Sequence, residues 1–164
     1  MRAPFLIPTL ILLLASLPAC RTKGDADPSH LPVSVVSVPA RTVLAMEAAV
    51  IDEAAIERFA LAVEDLGIPP EGDLMARDGR IMIPVAPETK AGAPLRVETM
   101  PSMQAAALVL RGPTLAAIDR RIDELHRWIE ENGYRAAGTP IRVFTDYPPE
   151  NWVVEVLIPV EAEP

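Results

Sequence analysis

The sequence predicts an α+β domain built from two copies of a β-α-β-β unit. Three observations predict it. Strand-like and helix-like segments follow one another in the same order twice. The punctuation recurs: Pro39 in the first copy matches Pro101 in the second, and Gly67, just past the first helix, matches Gly133, just past the other. The closing strands also align, Arg80-Ile81-Met82-Ile83-Pro84-Val85 with Glu155-Val156-Leu157-Ile158-Pro159-Val160, and both end in Ile-Pro-Val. Two such units make one antiparallel sheet with both helices on one face. The other face is left as a shallow, pseudo-symmetric groove suited to a ligand.

The elements follow in order. Val33–Val38 reads as a strand, and Val43–Val50 continues it past a break at Pro39-Ala40-Arg41. Asp52 is placed to cap a helix, with Glu53 in the first turn. Ile56, Phe59, Ala60, Val63 and Leu66 form its apolar stripe. Gly67 closes the helix and Pro69-Pro70 forbid its continuation. Asp73–Ala76 and Arg80–Val85 flank Asp78-Gly79, a hairpin signal. A linker over Pro87–Pro94 ends the first copy.

The second copy opens with Leu95–Met100, a break at Pro101, and an extended run over Gln104–Leu110. Gly112-Pro113-Thr114 starts a helix, with Pro113 placed in its first turn. Ile118, Ile122, Leu125 and Ile129 form the stripe. Ile141–Thr145, a Pro-rich turn over Asp146–Asn151, and Trp152–Val160 complete the unit. The repeats run over about residues 33–87 and 95–160, within a domain over 33–164.

The segment before the domain is of another kind. Ala3–Ala19 carries no charge, Arg2 precedes it, and Leu17-Pro18-Ala19-Cys20 follows an apolar run over Phe5–Leu14. The run falls short of the ~20 apolar residues of a membrane span. It resembles a bacterial lipoprotein signal peptide over residues 1–19. That resemblance implies cleavage before Cys20, acylation of its thiol (palmitate or a similar chain), and a flexible polar tether over 20–32. A lone cysteine in an exported chain has no disulfide partner, and acylation would use it. In lipoproteins of this type an Asp at the second mature position resembles an inner-membrane retention signal, so the resemblance, with Arg21 there, implies the outer membrane, facing the periplasm.

Composition excludes several functions. The net charge of −8 and the lack of a Lys/Arg cluster argue against nucleic acid. Two histidines and one cysteine are too few for a zinc, haem-c or iron–sulfur site, so no cofactor or metal is expected.

Glu155 is the only charge within Trp152–Ile158. Alternation sends Val154, Val156 and Ile158 to one face and Val153, Glu155 and Leu157 to the other. The purely apolar set belongs under the helices, so Glu155 points into the groove. Arg80 holds the matching place in the first copy. Pseudo-symmetry puts both on the groove face, either as an internal ion pair or as a joint site for a zwitterionic or polar ligand. Phe144, Tyr147 and Trp152 lie near the last hairpin, where aromatics can stack on a ligand. Met46, Met75, Met82, Met100 and Met103 are candidates for an adaptable wall or plain filler. Trp128 is expected in the core and His126 on the solvent side of the second helix.

Arg111-Gly112-Pro113, Leu125-His126-Arg127-Trp128-Ile129, Gly138-Thr139-Pro140 and Glu155-Val156-Leu157-Ile158-Pro159-Val160 together resemble the GyrI-like effector-binding domains. The resemblance covers roughly Val33–Val160 and is stronger in the second half. It implies a duplicated β-α-β-β fold with a groove at the pseudo-twofold, and a closing-strand glutamate, here Glu155, that meets a cationic ligand. Where many members carry an aromatic two residues past Gly112, this chain has Thr114. The resulting expectation is a non-enzymatic, membrane-anchored lipoprotein that binds a small amphipathic or cationic molecule. The other readings are an envelope module with a protein partner, a hydrolase using Glu155 as general base, and a haem-binding relative of the fold.

Overall fold

The computed structural model describes residues 32–145 and 153–163. The signal segment, Cys20 and all of the tether but Pro32 lie outside them, as do the turn over Asp146–Asn151, with Tyr147, and Trp152. The strands are β1 (Ser34–Val38), β2 (Arg41–Glu47), β3 (Leu74–Arg77), β4 (Arg80–Pro84), β5 (Arg96–Met100), β6 (Met103–Arg111), β7 (Tyr134–Ala136), β8 (Ile141–Thr145) and β9 (Val153–Ala162), with helices α1 (Glu53–Asp65) and α2 (Leu115–Glu131). One antiparallel sheet runs β1-β6-β9-β8-β3-β4-β2-β5, and β7 pairs with the end of β9.

The duplication is visible in the register. Pro84 faces Val43 across β4 and β2, and Pro159 faces Ala105 across β9 and β6. Met75 faces Met82, as Ile141 faces Leu157. The units meet where β3 pairs with β8, and the pseudo-twofold passes through the Ala76–Arg142 pair. Each leading strand crosses to the other unit: β1 pairs with β6, and β5 pairs with β2. Only Pro39 and Ala40 separate β1 from β2, which stand far apart in the sheet order. Three peptide steps reach about 10 Å, so the sheet has to curl into a half-barrel.

Side-chain alternation then sorts the apolar residues. Leu44 and Ile81 of the sheet pack against Phe59 and Val63 of α1. Leu108, Val154, Val156 and Ile158 of the sheet pack against Ile118 and Leu125 of α2. Val43, Ala45, Met75, Met82, Ile141 and Leu157 fill the concave side. The apolar alternates of β9 thus face a helix, as its sequence pattern requires.

Local chemistry sets the helix starts. The Asp52 carboxylate accepts from the Ala55 amide at 2.8 Å, and the Thr114 hydroxyl accepts from Ala117 at 3.2 Å. Pro113 therefore precedes the cap rather than sitting in the first turn. The α1 stripe also differs from the expected one. Ala55, Phe59 and Val63 are buried, Ala60 is exposed, and Leu66 lies past the last turn at 46 % exposure. Asp78 and Gly79 both have positive φ (48° and 68°), the backbone of a tight hairpin turn whose twist matches the flanking strands. Trp128 packs partly buried against the α2 cluster, and His126 is half-buried rather than on the open side.

Sequence periodicity gave no sign of β7. Its counterpart in the first copy is Ile68-Pro69-Pro70. Those prolines lack the N–H groups a ladder needs, so only the second copy adds this strand. The residue after each segment still bonds the closing strand: Glu71 N–H donates to the Pro84 carbonyl at 2.8 Å, and Ala137 N–H to that of Pro159 at 2.7 Å. One position further on, Gly72 and Gly138 press against the rings of those prolines. A Cβ would lie 3.0 Å from Pro84 Cγ at Gly72 and 3.1 Å from Pro159 Cγ at Gly138.

Gly72→Ala and Gly138→Ala should each destabilise the protein in urea unfolding. Overpacking of about 1–3 kcal/mol exceeds the ~0.4–1 kcal/mol gained from a stiffer unfolded chain. Gly92, with open space around it, is the control, and its change to alanine should leave stability level or higher.

Candidate functional site

The curl turns the groove face of β9 into one wall of a hollow. Glu155 lies between Val143 of β8 and Val109 of β6, and its side chain is half-buried on the concave side. Val36, Val38, Met75, Met100, Ile141 and Leu157 supply apolar walls around a space of about 260 Å³. Arg41, at the start of β2, and Asp73, just before β3, are the other charged groups lining it.

Electrostatics mark Glu155 out. Burial pushes its carboxyl above the ordinary value of 4.5, and the negative charge of Asp73 pushes the same way. The positive charge of Arg41 opposes both. Glu155 makes no ion pair or side-chain hydrogen bond among the described residues. The site therefore holds a carboxylate whose ionisation is resisted by its surroundings and would be favoured by a cation.

Arg80 does not pair with Glu155. Strands β3 and β8 stand between β4 and β9, which puts three inter-strand spacings, roughly 14 Å along the sheet, between the two residues. Arg80 instead contacts Glu47 and Glu98, each at 3.3 Å. It lines a second hollow of about 190 Å³ with Met82, Glu98, Thr99, Met100 and Pro101. That hollow is the pseudo-symmetric counterpart of the first, and Met100 lines both. Where the second carries Arg80 and Glu98, the first carries Glu155 and Val36. In the second hollow Arg80 pairs with Glu98 and Arg77 with Asp78; in the first, Glu155 and Arg41 share the lining but form no ion pair among the described residues.

Phe144 is not in the groove. It sits opposite Val154 and packs with the α2 cluster on the helix face, because its strand neighbour Val143 takes the concave side. Tyr147 and Trp152 lie outside the described residues. Met75 and Met100 do line the Glu155 hollow, Met82 and Met103 belong to the concave core, and Met46 packs on the α1 side.

Sequence reasoning missed Arg41 and Asp73. Arg41 was part of an apparent break, and only the crossing of β1 and β2 brings it beside β9. Its second-copy counterpart is Met103, and that of Asp73 is Thr139, so a position-by-position comparison of the repeats would have exposed two unshared charges.

Comparison with solved structures agrees with this architecture. The C-terminal domain of EcmrR superposes with a TM-score of 0.67 at 16% identity, over 80% of this chain and 98% of that one. EcmrR in its DNA complex gives 0.69 at 16% identity, over 81% of this chain. The present chain spans 58% of that longer protein. SAV2435 bound to tetraphenylphosphonium gives 0.51 at 16% identity, over 80% of this chain and 94% of that one. At these identities the likeness concerns the fold. No curated protein matches the sequence. Residues 77–161 match the GyrI-like small molecule binding domain. That stretch is just over half of the chain and contains the strand bearing Glu155, so the chain belongs to the GyrI-like small-molecule-binding domain family.

Proposed function

We propose that this protein is a non-enzymatic, membrane-anchored lipoprotein that binds a small cationic amphiphile in the Glu155 hollow. The observation that carries the reading is the half-buried Glu155 carboxylate, unpaired among the described residues and walled by apolar side chains. A ligand cation would supply the missing partner, and its apolar body would cover Met75 and Met100. The neighbour of this fold solved with tetraphenylphosphonium supports a cationic ligand class. The hollow is smaller than the about 300–1,000 Å³ common for drug-sized ligands, which points to a compact molecule. The anchor is read from Leu17-Pro18-Ala19-Cys20, which implies acylation at Cys20 and a periplasmic position at the outer membrane.

A native mass spectrometry screen of compact lipophilic amines should find a ligand. Glu155→Gln should weaken that ligand about 10–100-fold, the worth of a charge-assisted contact. Unchanged affinity in the variant would remove Glu155 from the site. Because the cation needs the ionised carboxylate, wild-type affinity should rise with pH through the free-state titration of Glu155, and the glutamine variant should lack this rise.

The unliganded protein should show the opposite linkage. A carboxyl whose folded pKa is raised contributes stability below its unfolded value of about 4.5 and loses that contribution as pH climbs through the folded value. Melting curves should therefore show Glu155→Gln gaining on wild type as pH rises from 4 to 7. A pH-independent difference would contradict the burial argument.

Metabolic labelling with an alkyne fatty acid should tag the protein, and Cys20→Ser should remove both the tag and membrane retention. Persistent labelling of that variant would dismiss Cys20 as the anchor.

A further inference from the structure

We propose that the hollow selects a small zwitterion, with Glu155 taking the cationic group of the ligand and Arg41 its anionic group. This rests on the reading of Glu155 as a ligand contact and adds a second charge requirement.

Four arginines are half-buried among the described residues: Arg41, Arg77, Arg121 and Arg142. Three have partners. Arg77 contacts Asp78 and Thr139, Arg121 contacts Glu124, and Arg142 contacts Asp119. Arg41 has none among the described residues. The half-buried acids divide in the same way. Glu98 pairs with Arg80 and Glu124 with Arg121, while Glu155 is unpaired among the described residues. Among the described residues the two half-buried charges without partners thus have opposite signs and line the same hollow, yet form no ion pair with each other.

A bare cation on Glu155 would lie under the repulsion of Arg41 and would cover a guanidinium without giving it an acceptor. Covering an unsatisfied charged donor costs more than an ordinary hydrogen bond returns. A bare anion on Arg41 would meet Glu155 and Asp73. A molecule carrying both groups satisfies both walls, and its apolar portion rests on Met75 and Met100, which can adapt to its shape. The counterpart hollow pairs its charges internally, Arg80 with Glu98 and Arg77 with Asp78, which leaves this one as the open half of the pair.

The test uses the full chain in a non-ionic detergent and ligand-observed NMR titrations with matched probes. Phenethylamine, phenylalanine and 3-phenylpropionate share one body and differ in charge. Hexylamine and 6-aminohexanoate repeat the comparison with the charges further apart. At least one zwitterion should bind wild type about tenfold more tightly than its matched amine. Arg41→Gln should bring that ratio close to one, and Arg41→Lys should restore part of it. If the amines bind in a Glu155-dependent way and neither zwitterion binds better, the zwitterion proposal fails and the cation site stands. A preference that survives Arg41→Gln, or tightest binding by 3-phenylpropionate, also overturns it. Binding of no probe by wild type would overturn this proposal and the Glu155 site together.

Discussion

The constraint on which the structure depends is the exchange of leading strands between the two units. β1 starts the first unit but pairs with β6 of the second, and β5 does the reverse. With two residues joining β1 to β2, distant members of the sheet order are drawn close together. A flat sheet cannot meet that condition. The curl gives the sheet an interior face, and this face buries Val43, Met82, Ile141 and Leu157 without help from a third layer. It also carries Arg41 and Asp73 to the neighbourhood of Glu155, from which they are remote in sequence.

Pseudo-symmetry explains why there are two hollows, and its breakdown explains why they differ. Backbone equivalence gives each unit a recess under its leading partner strand. Arg80 and Glu98 face each other in one, at the half-exposed surface where such pairs contribute little stability. Glu155 and Val36 occupy the same places in the other. Replacing the acid at the Glu98 position by valine and the cation at the Arg80 position by glutamate leaves a carboxylate without its internal partner. The resistance of Glu155 to ionisation follows from that exchange, since burial and the negative charge of Asp73 together outweigh the opposing charge of Arg41. The same asymmetry appears at the sheet margin. Tyr134-Arg135-Ala136 can join β9, while Ile68-Pro69-Pro70 lacks the donors to do so.

Most of the fold was legible because its signals are local. A capping side chain acts three residues ahead, as at Asp52 and Thr114. An Asp-Gly pair turns the chain where it stands. Alternation along β9 separated Val154, Val156 and Ile158 from Glu155 and Leu157 through the two-residue period of a strand, with no knowledge of what lies on either side. The duplication was legible through repeated punctuation, chiefly Ile-Pro-Val. Its prolines press against Gly72 and Gly138, a contact that ties the closing strand of each copy to the loop before its neighbour.

The order of the elements, the faces of the closing strand and the singling out of Glu155 thus followed from residue chemistry acting over a few positions. The companions of Glu155 did not. Arg80 matched it in the repeat but belongs to the other recess, because two strands intervene. Phe144 was close in sequence but faces the helix, because its neighbour Val143 takes the groove side. Arg41 was hidden in a bend and became a neighbour only through strand exchange. Which charges share a hollow depends on long-range pairing and curvature, and these arise from the packing of the whole sheet rather than from any short stretch of chain.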